Sequence, residues 1–226
     1  MQIGEYENKF IFSNFRSNIV RQYLSKQCLP DPLYAEGMIS SIYFDTYDEM
    51  MLGEKQNSDF KKIKIRLRWY SSLTTHKSGD ALYLEVKRKT GRARQKERYL
   101  LPYKSDWAAS KFLCDSKYFS INNLLTAKGI YLNQAVFPVL QIDYRRSRYN
   151  DTLSAARLSI DSDIRVSRIN PRMIGRLDRT PLKYAVFEHK GRNDSLPDWL
   201  YMVNTIAVGS KNSFSKYSRC IEHLRE

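Results

Sequence analysis

Charged residues occupy every second position in several short runs of this 226-residue chain. The run 62–69 reads Lys-Ile-Lys-Ile-Arg-Leu-Arg-Trp, so that bases alternate with large apolar residues. Successive side chains of a β-strand point to opposite faces, and this run therefore predicts a strand with one cationic face and one apolar face. Similar alternation, with glutamates among the bases, occurs at 5–10, 84–89, 157–161 and 186–190.

One such strand would be typical of an ordinary sheet with a solvated face. Several of them in one chain favour a closed sheet whose charged faces point at one another. Like charges that face each other across a lumen repel, and a bound polyanion or metal relieves that repulsion. The alternation therefore predicts a tunnel that handles phosphates.

The patterns along the rest of the chain predict an α+β fold, a single domain over residues 1–226. We expect an antiparallel eight-stranded β-barrel with a charged lumen and with helices packed outside. A helix capped by Ser13 is predicted to pack through Phe15, Ile19, Val20, Tyr23 and Leu24. Two helices are expected within 105–131, with Phe112 among the packing residues, and two more near the end of the chain. Segment 166–178 is predicted to be a loop or lid. The other predicted strands lie at about 39–46, 60–70, 81–90, 94–102, 138–149, 156–166 and 183–190.

The formal net charge of +14 indicates an anionic partner: a nucleic acid, a lipid surface or a phosphorylated small molecule. More than half of this excess falls on residues assigned to the lumen, so overall basicity is poor evidence for nucleic-acid binding. The aromatic residues Trp69, Tyr99 and Phe187 alternate away from the charged faces, which favours packing over stacking on bases. We therefore expect no nucleic-acid partner.

The three cysteines are far apart and form no Cys-x-x-Cys pair, which predicts reduced thiols and no zinc site. No signal peptide is evident, and no apolar stretch approaches the ~18 residues that span a bilayer. We expect a cytoplasmic protein, and any recruitment to the inner face of a membrane would come through a membrane-protein partner.

Three short motifs carry the candidate chemistry. In Glu5-x-Glu7-x-Lys9, two carboxylates suit a hard divalent cation and the lysine suits phosphate oxygens, although such a motif alone is more often a solvated edge strand. The neighbouring guanidinium groups of Arg66 and Arg68 suit forked contacts to phosphates. Pairs such as Glu188-x-Lys190 are singly most often surface ion pairs, and only their repetition on most strands indicates a site.

Taken together, these pieces resemble the VTC domain, the polyphosphate polymerase module of the CYTH-like triphosphate tunnel metalloenzymes. The most distinctive pieces are Ile-Arg-Leu-Arg-Trp-Tyr at 65–70 and Ser-Phe-Ser-Lys-Tyr at 213–217. The resemblance runs in family order from about residue 5 to residue 219. Other matching pieces lie at 41–45, 85–90, 96–99, 144–146, 157–161, 185–190 and 196–199.

The resemblance implies a set of bases that line the tunnel and bind triphosphate or polymer: Lys9, Arg66, Arg68, Lys87, Lys96, Arg146, Arg157 and Lys216. Further substrate-binding candidates are Lys89, Arg98 and Lys190, and strand alternation adds Lys64. By the same resemblance, Glu188 is the main ligand of a divalent metal, Mn²⁺ or Mg²⁺, and Glu5 and Glu7 are additional ligand candidates.

The implied reaction transfers the γ-phosphate of ATP to a growing polyphosphate chain. The sequence has no Ser/His/Asp set, Walker-type glycine loop or kinase signature. A terminal phosphate is deprotonated near neutral pH, and as an acceptor it needs charge neutralisation and in-line alignment instead of a general base. Two alternatives remain open: a tunnel triphosphatase, in which Glu5, Glu7 or Glu85 activates water, and a non-catalytic module that binds polyphosphate or nucleic acid.

Overall fold

A computed structural model describes residues 6–73, 79–91, 93–192, 197–207, 210–211 and 214–226. The strands are β1 (Tyr6–Ser13), β2 (Leu29–Pro30), β3 (Glu36–Asp45), β4 (Lys61–Ser71), β5 (Ala81–Thr90), β6 (Ala93–Lys104), β7 (Phe137–Asn150), β8 (Arg157–Ile169), β9 (Tyr184–Gly191) and β10 (Ser210–Lys211). The helices are α1 (Ser17–Gln27), α2 (Met50–Gln56), α3 (Ser105–Ala109), α4 (Ser120–Ala127), α5 (Trp199–Ala207) and α6 (Lys216–Arg225), with 3₁₀ turns at Asn14–Arg16 and Ser116–Phe119.

All strands belong to one antiparallel sheet in the order β10-β1-β9-β8-β7-β3-β4-β5-β6, and β2 pairs with β7. Apart from β2 and β10, which have two residues each, eight long strands build the sheet. The predicted eight-stranded antiparallel architecture is therefore confirmed. Among the described residues, no backbone pairing joins β6 to β1 or β10, so the order keeps two ends.

Side chains bridge the two ends of this sheet. Glu7 on β1 lies 3.2 Å from the guanidinium of Arg94 on β6 and 4.0 Å from the ammonium of Lys87 on β5. Because β1 is far from β5 and β6 in the strand order, these contacts require the sheet to curve around a common lumen. Within the described residues, ion pairs between side chains connect β1 to β5 and β6, and backbone hydrogen bonds do not.

The outer face of the sheet carries the apolar half of the alternation. Val20 and Leu24 of α1 pack with Phe187 of β9 in one buried cluster, which α5 completes. A second cluster joins the outer faces of β4 and β5 to α3 and α4. Each fully buried large aliphatic or aromatic side chain contributes about 1.5–3 kcal/mol to folding, so these clusters hold the charged inner face in its curvature.

Helix α6 departs from the predicted arrangement, because it packs on the inner face of the sheet. The ring of Tyr217 stacks on Tyr43 of β3 at a centroid distance of 5.5 Å. The Tyr43 hydroxyl accepts a hydrogen bond of 3.1 Å from Arg66, which places this pair on the charged face. Tyr217 and Ile221 belong to a buried cluster with Tyr144 of β7, so α6 fills one end of the lumen.

Asp45 anchors both α2 and α6. Its carboxylate accepts hydrogen bonds from the backbone N–H groups of Thr46, Met51 and Leu52 and from the Tyr217 hydroxyl at 2.9 Å. Burial raises the pKa of Asp45, although these hydrogen bonds act in the opposite direction. A fully buried carboxylate is tolerated here because its partners satisfy it.

A β-bulge in β8 changes which residues point inward. Asp163 has a positive φ of 53°, and the β7–β8 register shifts nearby. Asp161 before it faces the charged lumen, whereas Ile164 after it joins the apolar cluster around α6. The extra residue in the bulge changes which residues of β8 point inward. Odd-numbered residues before the bulge face the charged part of the lumen, and even-numbered residues after it face the apolar part.

Several local predictions were wrong. Ser13 makes no side-chain cap, and Phe15 and Ile19 of the first helical segment are exposed, whereas Val20 and Leu24 are buried. Phe112 is also exposed, at 82%. The predicted loop or lid at 166–178 is a loop only over 170–178, because β8 continues to Ile169. No helix of the described residues is long and apolar enough to cross a membrane.

Candidate active site in the charged lumen

The structure brings most of the predicted bases to one lumen. Two carboxylate-centred groups organise most of them, and Lys64 lies apart from both groups. The bases come from seven strands and α6: Lys9 on β1, Lys64, Arg66 and Arg68 on β4, Lys87 and Lys89 on β5, Lys96 and Arg98 on β6, Arg146 on β7, Arg157 on β8, Lys190 on β9 and Lys216 at the start of α6.

The first group, the Glu85 cluster, consists of Glu85 and the four bases around it. The Glu85 carboxylate is almost fully buried and lies 2.7 Å from Arg66 and 3.5 Å from Arg68. Lys96 and Arg98 of β6 approach its other oxygen at 3.8 and 3.6 Å. Burial raises the pKa of Glu85, but Arg68 and Arg66 outweigh burial and lower it to about 2. One anion cannot neutralise four cations, so the cluster keeps an excess of positive charge.

Arg66 and Arg68 differ in how freely they can meet a ligand. Arg68 is almost fully buried and donates hydrogen bonds to the Ser41 hydroxyl at 3.0 Å and the Tyr144 hydroxyl at 3.1 Å. The Arg66 side chain is about a quarter exposed. Arg66 is thus better placed for a forked contact to phosphate. Arg68 instead connects β4 to β3 and β7 within the wall of the lumen.

The second group, the Glu188 cluster, has two further carboxylates nearby. Lys9 lies 3.3 Å from both Glu7 and Glu188, and Lys190 lies 3.6 and 3.5 Å from the same two carboxylates. Arg146 is 3.9 Å from Glu188. Burial raises the pKa of Glu188, yet Arg146 and Lys9 outweigh it and hold the pKa well below its usual range. Glu188 is therefore an anion at neutral pH.

Asp161 of β8 is the third carboxylate of the Glu188 cluster. Its two oxygens accept hydrogen bonds from Arg146 at 2.5 and 2.6 Å, and Lys216 reaches it at 2.5 Å. Burial lowers the pKa of Lys216, but the neighbouring Asp161 carboxylate outweighs burial and raises it. The start of α6 is thereby tied to β7 and β8, with the Lys216 ammonium held in the lumen.

The pair Glu7 and Glu188 fits a divalent metal that shares its coordination with phosphate. Mg²⁺ is commonly held by one or two carboxylates, with substrate phosphates and waters supplying the rest. Within the described part of the chain, no group of three or more acidic, histidine or cysteine side chains forms a complete metal cage. Glu5, the third predicted ligand, lies outside the described residues. The donors therefore suit a metal that arrives together with its phosphate ligand.

Lys64 has a different environment from the bases of both clusters. Its ammonium donates to the Ser215 hydroxyl at 3.0 Å, and no carboxylate of the described residues lies within ion-pair distance. Burial lowers the pKa of Lys64 to about 7, and the positive charges of Lys9, Lys55 and Lys87 add to this effect. An anion bound at this position would remove the repulsion.

An opening at the other end of β4 leads into the lumen and has a volume of about 620 Å³. Tyrosines line it together with bases, and the Arg98 guanidinium lies 3.6 Å from the centre of the Tyr83 ring. Its lining includes Tyr34, Tyr70, Tyr83, Arg98, Arg146, Arg148, Arg157 and Lys190. Arg157 thus lies at this mouth, directly opposite Lys190 of β9, and Lys89 lies at the opposite end of β5, near Lys55.

The sequence prediction missed several residues of the lumen. Asp161 lies in the matching piece 157–161 but has no predicted role, although it shares the inward face of β8 with Arg157 before the bulge. The sequence predicts for Glu85 only the activation of water, whereas four bases surround it in the structure. The alternation of β7 places Tyr144 on the same face as Arg146, which would have been a usable signal. Arg94 and Ser215 were also missed.

The VTC domain model matches residues 5–225 of the sequence. No curated protein sequence matches the chain. Several solved structures have a similar fold, among them the following two. The PH1819 protein from Pyrococcus horikoshii OT3 has 11% identity and a TM-score of 0.54, with 96% of this chain and 99% of that chain covered. A Bacillus halodurans protein, bh2851, proposed to be an adenylate cyclase, has 13% identity and a TM-score of 0.54, with 95% and 96% covered. At these identities the likeness shows the fold alone.

Proposed function

Because this chain belongs to the VTC domain family, within the CYTH-like triphosphate tunnel enzymes, we propose that it is a metal-dependent polyphosphate polymerase. It would transfer the γ-phosphate of ATP to a growing polyphosphate chain inside the lumen. The observation that supports this proposal best is the lumen itself, in which an excess of bases surrounds a pair of carboxylates, Glu7 and Glu188. ATP and polyphosphate are the proposed partners.

The bases would act on the substrate through charge and position. Arg66, which is partly exposed, and Lys96, which is more than half exposed, lie next to Glu85 and can bind phosphate oxygens. Lys9 and Lys190 flank the carboxylate pair from β1 and β9 and can bind the next phosphate along the chain. Phosphoryl transfer depends mainly on alignment and on neutralising the charge of the transferred group, and these side chains supply both.

A divalent metal fits the same site. Glu188 would hold it, with Glu7 as the second protein ligand, and when bound it supplies further charge neutralisation at phosphate oxygens. Lys9 and Lys190, which bridge these carboxylates, would then turn toward the phosphates. We propose Mn²⁺ or Mg²⁺, hard cations that prefer oxygen ligands.

The acidity of the carboxylates favours a phosphate acceptor over water. Surrounding bases hold the pKa of Glu85 at about 2, against the effect of its burial, and hold that of Glu188 well below its usual range. A general base works best when its pKa lies near the operating pH, so both carboxylates are poor at activating water. A polyphosphate end is already anionic and needs no such base, which supports polymerisation.

The product formed from ATP labelled in the γ-phosphate tests this proposal. With Mn²⁺ present, the polymerase account predicts label in long phosphate chains and release of ADP. Lys26→Gln, an exposed change on α1 away from the lumen, is the control and should retain this activity. Label recovered only as free phosphate would instead establish the triphosphatase, and binding of polyphosphate without turnover would establish the non-catalytic module.

A further inference from the structure

Helices α1 and α5 pack side by side on the outside of β1 and β9. At one end of the seam between them, the Arg16 guanidinium donates a hydrogen bond to the Ile206 carbonyl at 2.7 Å. At the other end, the Tyr23 hydroxyl donates to the Trp199 carbonyl at 3.3 Å. The two helices are therefore antiparallel, and the residues between these contacts lie across the seam from one another.

The residues in the middle of the seam divide into a buried pair and an exposed pair. Val20 and Val203 are fully buried in the cluster under the helices. Ile19 and Met202, which directly precede them in the two helices, are half exposed. Neighbouring residues of a helix point about 100° apart, so Ile19 and Met202 lie on the solvent side of the same seam. An apolar pair thus faces solvent between α1 and α5.

Two aromatic side chains extend this pair into a ridge. Phe15 is 94% exposed in the 3₁₀ turn before α1 and precedes Ile19 by four residues, about one helical turn. Tyr184, nearly half exposed, pairs with the last residue of β1, two positions before Phe15. We call Phe15, Ile19, Tyr184 and Met202 the apolar ridge. Exposed apolar groups of this size indicate a surface that contacts a partner.

Two exposed bases border the apolar ridge. Arg16 directly follows Phe15 in the chain, and its side chain lies at the end of the α1–α5 seam. Lys183 lies beside the same turn, because its carbonyl accepts a hydrogen bond of 2.8 Å from the Asn14 backbone N–H. Positive charge therefore stands at the edge of the apolar side chains.

The segments that carry the ridge contain no acidic residue. Segments 13–24, 179–187 and 199–207 have four bases in total and no aspartate or glutamate. The nearby carboxylate of Asp163 is partly buried and accepts a hydrogen bond from the Asn14 side chain at 3.0 Å. The ridge thus combines apolar contact with a positive charge that its own segments do not balance.

This combination fits a bilayer surface that contains anionic lipids. Apolar and aromatic side chains enter the boundary between head groups and acyl chains, while flanking bases stay at the level of the head groups. Bases next to an anionic leaflet add attraction. A protein partner would need a preformed hollow for a side chain as prominent as Phe15, whereas a bilayer accommodates it without one.

The ridge lies far from the 620 Å³ opening of the lumen. It adjoins Ser13 at the end of β1, whereas Lys190, which lines that opening, pairs with Glu7 near the start of β1. Glu7 and Ser13 are six residues apart, roughly 20 Å at the rise of a strand. A protein bound to lipid through the ridge therefore keeps this opening away from the bilayer.

We propose that the apolar ridge, together with Arg16 and Lys183, is a peripheral membrane-binding surface that prefers anionic lipids. The contact with lipid is direct, in contrast to the recruitment through a membrane-protein partner that the sequence predicts. It does not depend on the reaction in the lumen. Binding measured without ATP therefore tests this surface independently of the polymerase function.

Sedimentation with vesicles tests the surface, with triphosphate present to occupy the bases of the lumen. We expect binding to vesicles of phosphatidylserine and phosphatidylcholine, and about tenfold weaker binding to phosphatidylcholine alone. Phe15→Ser should weaken binding to the mixed vesicles about tenfold, because the bilayer no longer buries the ring. Lys183→Gln should weaken it about fivefold, and only when the anionic lipid is present.

Phe112→Ser and Lys117→Gln are the matched controls. Both side chains are exposed between α3 and α4, which pack on β4 and β5 instead of β1 and β9. These variants should bind both kinds of vesicle as the wild type does. Thermal unfolding should show all four variants to be as stable as the wild type, because each side chain is exposed.

Three results would overturn the proposal. Equal losses in the ridge variants and in the controls would show unspecific adsorption. Release of the wild type from vesicles by triphosphate would place the lipid contact at the bases of the lumen. A wild type that binds neither kind of vesicle, with a Phe15→Ser variant that elutes as a smaller species in gel filtration, would assign the ridge to a second copy of this chain.

Discussion

Glu85 and Glu188 are the same residue type on the same charged face of one sheet, yet their surroundings differ. Four bases surround Glu85, and Arg66 approaches it at 2.7 Å. Glu188 has Glu7 beside it, and its bases lie at 3.3–3.9 Å. Neighbouring bases lower the pKa of both carboxylates in spite of burial, so acidity alone does not separate them.

The difference assigns them different tasks. A lone carboxylate in direct contact with Arg66 and approached by three further bases offsets part of their charge and helps to fix their positions. Two carboxylates bridged by the same two lysines, Lys9 and Lys190, can exchange those lysines for a metal. We therefore interpret the Glu85 cluster as the part that holds the wall of the lumen and the Glu188 cluster as the part that holds the metal.

Glu188→Gln should have the largest effect on activity. We expect turnover of ATP to fall by about a hundredfold or more, because the amide is a poor ligand for a hard cation. The melting temperature should change little, because Glu7 and Asp161 remain to neutralise the surrounding bases. Steady-state rates across a metal titration measure this, and wild-type rates at limiting metal would remove Glu188 from the metal site.

Glu85→Gln should have the opposite profile, with its main effect on stability. Removing one partner of a buried ion pair typically costs about 3–5 kcal/mol, since the remaining charges lose their compensation. The melting temperature should fall by roughly 10 °C at about 2–4 °C per kcal/mol for a domain of this size. Thermal unfolding with and without triphosphate checks the cause, because a bound anion should restore part of the loss. A variant as stable as the wild type would end the distinction between the two clusters.

Lys64→Met should have the smallest effect and should stabilise the empty protein, by about 1 kcal/mol or ~2–4 °C at neutral pH. Burial, with Lys9 and Lys55 nearby, lowers the pKa of Lys64 from its usual 10.5 to about 7. Below pH 7 Lys64 is charged in both the folded and the unfolded protein, so the folded protein bears the full free-energy cost of holding a buried ammonium near other cations. Between pH 7 and 10.5 the unfolded protein binds more protons than the folded protein. The free-energy cost of burying Lys64 therefore decreases as the pH rises.

The difference in melting temperature between Lys64→Met and the wild type, followed from pH 6 to pH 10, measures this. It should shrink as pH increases, if the folded protein carries the repulsion that we infer. Lys26→Met on the exposed face of α1 is the control and should show no such trend. A difference that grows with pH would contradict the assignment.

The sequence was sufficient to predict the architecture because alternation is a local property of each strand. The run 62–69 has bases at every second position, and β4 indeed presents Lys64 and Arg66 to the lumen and buries Ile65 and Leu67 on the other side. The order of the long strands along the chain also followed from such runs. Register, in contrast, depends on contacts between distant segments.

Two parts of the site could not be predicted for that reason. The bulge at Asp163 turns Asp161 and Ile164 to the same inner face, and no alternation rule places both there. The position of α6 depends on Tyr217, whose hydroxyl bonds to Asp45 more than a hundred residues away. An amphipathic helix at the end of a chain gives no local sign of whether it covers the outside of a sheet or fills its lumen.

Thermal unfolding with different anions is the most direct measurement of the central claim, that the excess bases face a shared lumen built for a linear phosphate chain. A ligand at a hundredfold excess over its Kd stabilises the folded state by about 2.7 kcal/mol, or roughly 5–10 °C here. Triphosphate should give this shift, and sulfate at equal ionic strength should give far less. Duplex DNA is too wide for a lumen of about eight strands and should do little. A larger shift with DNA than with triphosphate would place the bases on an outer surface and contradict the account.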